Sequence, residues 1–142
     1  MKLIPKILIS ALIICIGLIG LTIIFIMFVV GGDFESRKIH SATHDETIYI
    51  VKHAWGFDDY EIFISDSWHW RRSPDSKEDY IYPQDFLPYK FANDTLTVYV
   101  RKTSPIPPDF DSDIIIRQVE LPNPEMMDLY TNYAEKGLEL LK

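Results

Sequence analysis

The sequence predicts an α+β protein: one N-terminal transmembrane helix, then a small antiparallel sheet of about five strands packed by a C-terminal amphipathic helix. Three observations predict it. Residues 7–30 form an uncharged apolar run. Residues 47–121 repeatedly alternate with a period of two, broken by turn chemistry. From residue 124 the apolar residues fall at helical spacing instead.

Within Ile7 to Val30, only Ser10, Gly17, Gly20 and Thr22 are not hydrophobic. As a helix this run measures roughly 36 Å at about 1.5 Å per residue. That exceeds the ~30 Å hydrocarbon core, so it spans a bilayer with some tilt. Gly31-Gly32 then ends it, since glycine suits the left-handed position after a helix. A cleaved signal peptide fits less well, because its apolar core is usually only about 7–15 residues. Lipidation of Cys15 is disfavoured by Ile14, which stands where a small residue is needed. Gly17 and Gly20 are three apart, so the four-residue spacing of dimerising helices is absent. Lys2 and Lys6 flank one end, and Arg37 and Lys38 follow the other. With so close a balance, the short N-terminal tail favours an inside N-terminus and a domain outside the cytoplasm. In a Gram-negative cell that is the periplasm.

Charge narrows the function. All 21 Asp+Glu lie after residue 30, with all but two of the 14 Lys+Arg, so the remainder carries −9. Such a domain is a poor ligand for nucleic acid, whose phosphates are held by Lys and Arg. Anionic headgroups repel it as well. The single cysteine, Cys15, is inside the apolar run. The soluble part therefore has no disulfide, no thiolate nucleophile and no cysteine metal site.

The chain divides into an anchor (1–32), a polar linker (33–46) and an extracytoplasmic domain (47–142). The linker reading rests on polarity without a hydrophobic period. Thr47 to Trp55 and Tyr60 to Ser65 read as strands joined through the turn residues 56–59. Asp66 to Asp79 is irregular, and Tyr80 to Tyr82 is a short strand. Phe86 to Phe91 and Thr95 to Lys102 form a second hairpin around Asn93-Asp94, with Leu96, Val98 and Val100 on one face. Pro88 places the first of these strands at an edge, or delays its start. Three prolines stiffen Thr103 to Phe110, and Ile114 to Leu121 is the last strand. Asn123 reads as an N-cap for a helix running from Pro124 to Leu141. Its buried stripe is expected to be Met127, Tyr130, Ala134, Leu138 and Leu141.

Chemical motifs are sparse. Asp109, Asp111 and Asp113, with Glu120, sit at EF-hand spacing. Ile114 occupies the position that needs glycine, so a solvated acidic turn is the better reading and a looser calcium site the weaker one. His40 and His44 are four apart, His53 lies in a strand and His69 between tryptophans. Without cysteines, a zinc site would require several of these to converge. Trp68-His69-Trp70-Arg71-Arg72 is the most unusual string. Aromatic rings beside guanidinium groups recur at recognition surfaces, and Tyr80, Tyr82 and Tyr89 would extend this one. The competing reading has the tryptophans closing an end of the sheet. No hydrolase signature is present, and no cofactor is expected. The expectation is a non-catalytic, membrane-tethered module that meets the lipid bilayer through residues 7–30 and has another envelope protein as its partner. The alternative is a sugar- or peptide-binding domain, and the least favoured is a hydrolase.

Overall fold

The computed structural model describes residues 3–30, 34–55, 59–68 and 73–142. Helix α1 covers Leu3–Val30. Every large apolar side chain described in it is exposed, from 52% at Ile26 to 67% at Phe25. Among the described residues no helix is long and apolar enough to cross a membrane.

The rest is built on two four-stranded sheets. The first is an antiparallel meander of β1 (Phe34–Ser41), β2 (Glu46–Trp55), β3 (Asp59–Ser65) and β4 (Tyr80–Tyr82), in that order. The second contains β5 (Leu87–Ala92), β6 (Thr95–Val100), β7 (Ile115–Glu120) and β8 (Glu139–Leu141), in the order β7-β6-β5-β8. β5 pairs antiparallel with β6 and β8, whereas β6 and β7 run parallel. Alternation delivers one face of each sheet to a shared core. Ile48, Ile50, Ile62, Ile64 and Tyr82 come from the first sheet, and Leu87, Tyr89, Leu96, Val98 and Leu141 from the second. The layer covering the first sheet is thus a second sheet, not the C-terminal helix. The expected single sheet of about five strands is corrected accordingly.

The supposed linker is largely a strand. β1 pairs with β2 in full register from Phe34↔His53 to Ser41↔Glu46. It lacks a visible period because its only apolar residues, Phe34 and Ile39, point to opposite faces. Its place is secured by β2, and its charged Glu35, Arg37 and Lys38 suit an open sheet edge. Only three residues, 31–33, separate the end of α1 from this strand, which leaves little tether.

The β5–β6 hairpin closes as expected. Asn93 (φ 51°) and Asp94 (φ 54°) both adopt the left-handed conformation that a two-residue turn of this hand requires. Pro88, however, is in an interior strand, opposite Leu140 of β8. A three-residue neighbour asks few hydrogen bonds of β5, so the missing N–H is tolerated there.

Helix α2 is short, Asn123–Asn132, with Pro122 rather than Asn123 at its cap position. The chain winds on to Gly137 (φ 68°), where Leu138 N–H donates to Tyr133 O (2.9 Å) and Gly137 N–H to Ala134 O (3.1 Å). That pair of bonds is the Schellman ending, which glycine permits. The last residues then join the second sheet as β8. The buried face is Met126 and Leu129, while Met127 (45% exposed) and Tyr130 (39%) look outward. The expected stripe is therefore wrong over the helix itself. Leu138 and Leu141 are buried, but from a turn and a strand.

Candidate functional site

Three regions carry the chemically interesting side chains. The first gathers the acidic loops at one end of the sheets. Ser41 ends β1, and its hydroxyl donates to Asp94 Oδ1 at 2.6 Å in the β5–β6 turn. His44 reaches towards Asp94 at 3.9 Å and Asp113 at 3.7 Å. Glu46 Oε2 accepts from Ser112 Oγ and from Asp113 N–H, both at 2.9 Å. Asp66 Oδ2 accepts from Asp111 N–H at 2.7 Å. These carboxylates are spent on backbone and hydroxyl donors, fastening β7's approach to the first sheet. Donation from Ser41, then from Thr43, with the charge of His44 a smaller contribution, holds Asp94 below the usual carboxylate range. Asp109, by contrast, is fixed through its N–H to Lys77 O at 2.8 Å. No group of three or more His, Cys, Asp or Glu capable of holding a metal occurs among the described residues. His40 points elsewhere, to Thr47 Oγ1 at 3.1 Å.

The second region is aromatic. Trp68 is half exposed (48%) and lies over Tyr49, 5.1 Å between ring centroids, with Phe34 edge-on at 6.3 Å. His69, Trp70, Arg71 and Arg72 lie outside the described residues. The tyrosines expected to extend this surface do not. Tyr80, Tyr82 and Tyr89 are buried in the shared core. β4 and β5 place them on inner faces, where alternation fills the core. Burial, and then the neighbouring Tyr80, push the Tyr82 phenol far above its ordinary range. Burial, followed by its hydrogen bond to Glu139, does the same to Tyr89. Neither is a titrating group at physiological pH.

The third region was not anticipated from the sequence. Two adjoining clefts, about 340 and 250 Å³, share Lys52, Tyr60 and Lys142. The larger is completed by Phe34, Glu35 and Ala54, the smaller by Asp85, Phe86 and Tyr130. The cross-strand pairs Glu35↔Lys52 and Ala54↔Tyr60 bring its β1, β2 and β3 residues together. α2 supplies Tyr130, whose ring packs on Phe86 at 4.8 Å. Lys52 Nζ lies 4.9 Å from the Tyr60 ring centroid. Both acids have cationic partners: Glu35 has Arg37 at 2.5 Å, and Asp85 has Arg101 at 3.1 Å. Arg101 is itself held over Phe86, 5.1 Å from the ring centroid, and by Asn123 Oδ1. Lys52 and Lys142 have no ion pair among the described residues. The signal missed in the sequence was the helical phase that turns Tyr130 outward, together with the strand nature of residues 34–41.

No family model, curated protein or solved structure matches this chain.

Proposed function

We propose that this chain is a single-pass membrane protein whose α+β domain stands outside the cytoplasm and engages another envelope protein without catalysing a reaction. The observation that carries the reading is α1. Its described apolar side chains, from Ile9 to Ile26, are exposed all round. A helix apolar on every side is stable where its surroundings are apolar too, in lipid or in a protein core. The sequence extends that character over residues 7–30 without a charge. Lys2 and Lys6 before it support an inside N-terminus.

An interaction role is supported by Trp68, held on Tyr49 and Phe34 with half its surface free. Rigid, amphipathic aromatic rings are the commonest anchors of protein contacts. The second reading, a sugar- or peptide-binding domain, draws on the same stacked ring.

Three measurements test the proposal. The chain should stay in the membrane fraction through alkaline carbonate washing, and a C-terminal alkaline phosphatase fusion should be active. Release by carbonate would refute anchoring. An inactive phosphatase with a bright C-terminal green fluorescent fusion would reverse the orientation. Trp68→Ala should abolish crosslinking to the envelope partner while circular dichroism shows the domain still folded.

A further inference from the structure

We propose that the paired cleft around Lys52, Tyr60 and Lys142 binds the headgroup of a zwitterionic phospholipid in the membrane that holds α1. The inference rests on the anchoring reading above and adds a ligand to a different face of the domain. Its first support is chemical. The cleft acids are engaged by Arg37 and Arg101, which leaves the two lysines as its cations without a carboxylate partner, Lys52 standing 4.9 Å from the Tyr60 ring centroid. Ammonium groups of this kind are good point-charge ligands for a phosphate. Tyr60 (40% exposed) and Tyr130 (39%) line the same space beside Phe34, above a buried Phe86 that already carries Arg101. Aromatic faces attract an organic ammonium. Phosphate and ammonium together are what a phosphatidylethanolamine headgroup presents.

Location is the second support. Phe34, the first residue of β1, lines the cleft and stands four residues beyond Val30. Four residues reach at most about 14 Å. The headgroup layer outside each face of the hydrocarbon core is about 5–8 Å deep. With the end of α1 at the hydrocarbon boundary, the cleft wall at Phe34 is held within or just above the headgroups. Interfacial tyrosines suit that level.

Net charge chooses between headgroups. A domain carrying −9 is repelled by a surface of anionic lipid. A zwitterionic headgroup brings no net charge, so the lysines can take its phosphate without attracting the domain to a surface that its other faces oppose.

The test uses the full chain in detergent micelles, offered one probe at a time and read by native mass spectrometry. One phosphatidylethanolamine should remain bound. Lys52→Gln with Lys142→Gln should lower its retention about tenfold, and Tyr60→Leu should lower it less. Circular dichroism should show each variant folded as the wild type is. Phosphatidylglycerol, which has the phosphate but no ammonium, should be retained more weakly. Equal retention of it, or undiminished retention of phosphatidylethanolamine by the lysine variant, would overturn the proposal. Displacement of the lipid by inorganic phosphate would assign the cleft to free phosphate and overturn it too. Carbonate washing separates the two readings. A chain that stays in the membrane but retains no lipid refutes the cleft alone. A chain that washes off refutes the anchor, and the membrane source of the headgroup with it.

Discussion

Truncating Met126 should destabilise the domain severely, and truncating its neighbour Met127 should not. Met126 is wholly buried, whereas Met127 is 45% exposed. Met126→Ala removes a full side chain from a site where α2 packs on the body of the domain. The transfer contribution is about 1.5–3 kcal/mol for burying a methionine. The cavity left behind raises the loss into the 2–5 kcal/mol range seen for such truncations. Met126 is not part of the main core between the sheets, so partial collapse should hold the loss near the lower end, about 2–3 kcal/mol. Met127→Ala should cost about 0.5 kcal/mol or less, as surface changes do. The assay is equilibrium urea unfolding of the full chain in detergent, followed by the fluorescence of its three tryptophans. At a slope of roughly 1.5 kcal/mol per molar urea, Met126→Ala should lower the midpoint by about 1.5–2 M. The helical phase expected from the sequence makes the opposite forecast. A larger fall for Met127→Ala, or no fall for Met126→Ala, would refute the packing described for α2.

Three further outcomes can be measured on the same chain. Gln84 is buried, donates to Phe86 O at 2.7 Å and accepts from Arg101 N–H at 3.1 Å, so Gln84→Ala should cost about 1–3 kcal/mol by stranding both groups. Gly137→Ala should cost about 1–2 kcal/mol in urea unfolding although a methyl meets nothing within 4 Å, because the φ of 68° is strained for a residue with a Cβ. The Asp94 carboxyl is depressed mainly by the Ser41 hydroxyl, so its stabilisation is present above the unfolded value of about 3.9 and is lost as pH falls through the lower folded value. Ser41→Ala should accordingly raise the Asp94 pKa in a carboxyl NMR titration and flatten that part of the acid-side loss; an unchanged titration would refute the assignment.

The strands with strong alternation were legible because one rule controls them. Leu96, Val98 and Val100 recur every second residue, and their burial follows from being on one face. The turn at Asn93-Asp94 was equally clear, since few residue pairs accept two left-handed conformations in succession. β1 was illegible for the opposite reason. It is an edge strand whose inner face contributes chiefly Ile39, and its pairing energy comes from β2 across the ladder. A linear reading cannot see a partner. The C-terminus failed differently. Gly137 carries the stop signal plainly, but Leu138 and Leu141 fit a continued helical stripe, and that apparent continuity outweighed the glycine. Once the chain stops there, those leucines close the second sheet as a turn and β8, and the buried face of α2 shifts to Met126 and Leu129.

The candidate sites show the same division between local pattern and assembly. Trp68 was singled out by composition, and it does occupy a surface. Tyr80 and Tyr82 were grouped with it by sequence proximity, yet strand pairing turns both into the core. The cleft draws residues from β1, β2, β3, α2 and the end of the chain, so no window of sequence contains it. Its character follows from ion pairing that only the folded state creates. Arg37 reaches Glu35 along β1, and Arg101 reaches Asp85 from beyond β6. Those two pairs silence the acids of an otherwise acidic domain at one place. They leave Lys52 and Lys142 among tyrosines, at the end of the fold that opens with Phe34. The strand that replaced the expected linker is therefore also what ties this cleft to α1. With a 14-residue linker between them, the anchor proposed above would let the cleft stand as far as about 50 Å from the end of α1. With β1 beginning at Phe34, the covalent chain keeps the cleft wall within about 14 Å of the end of α1.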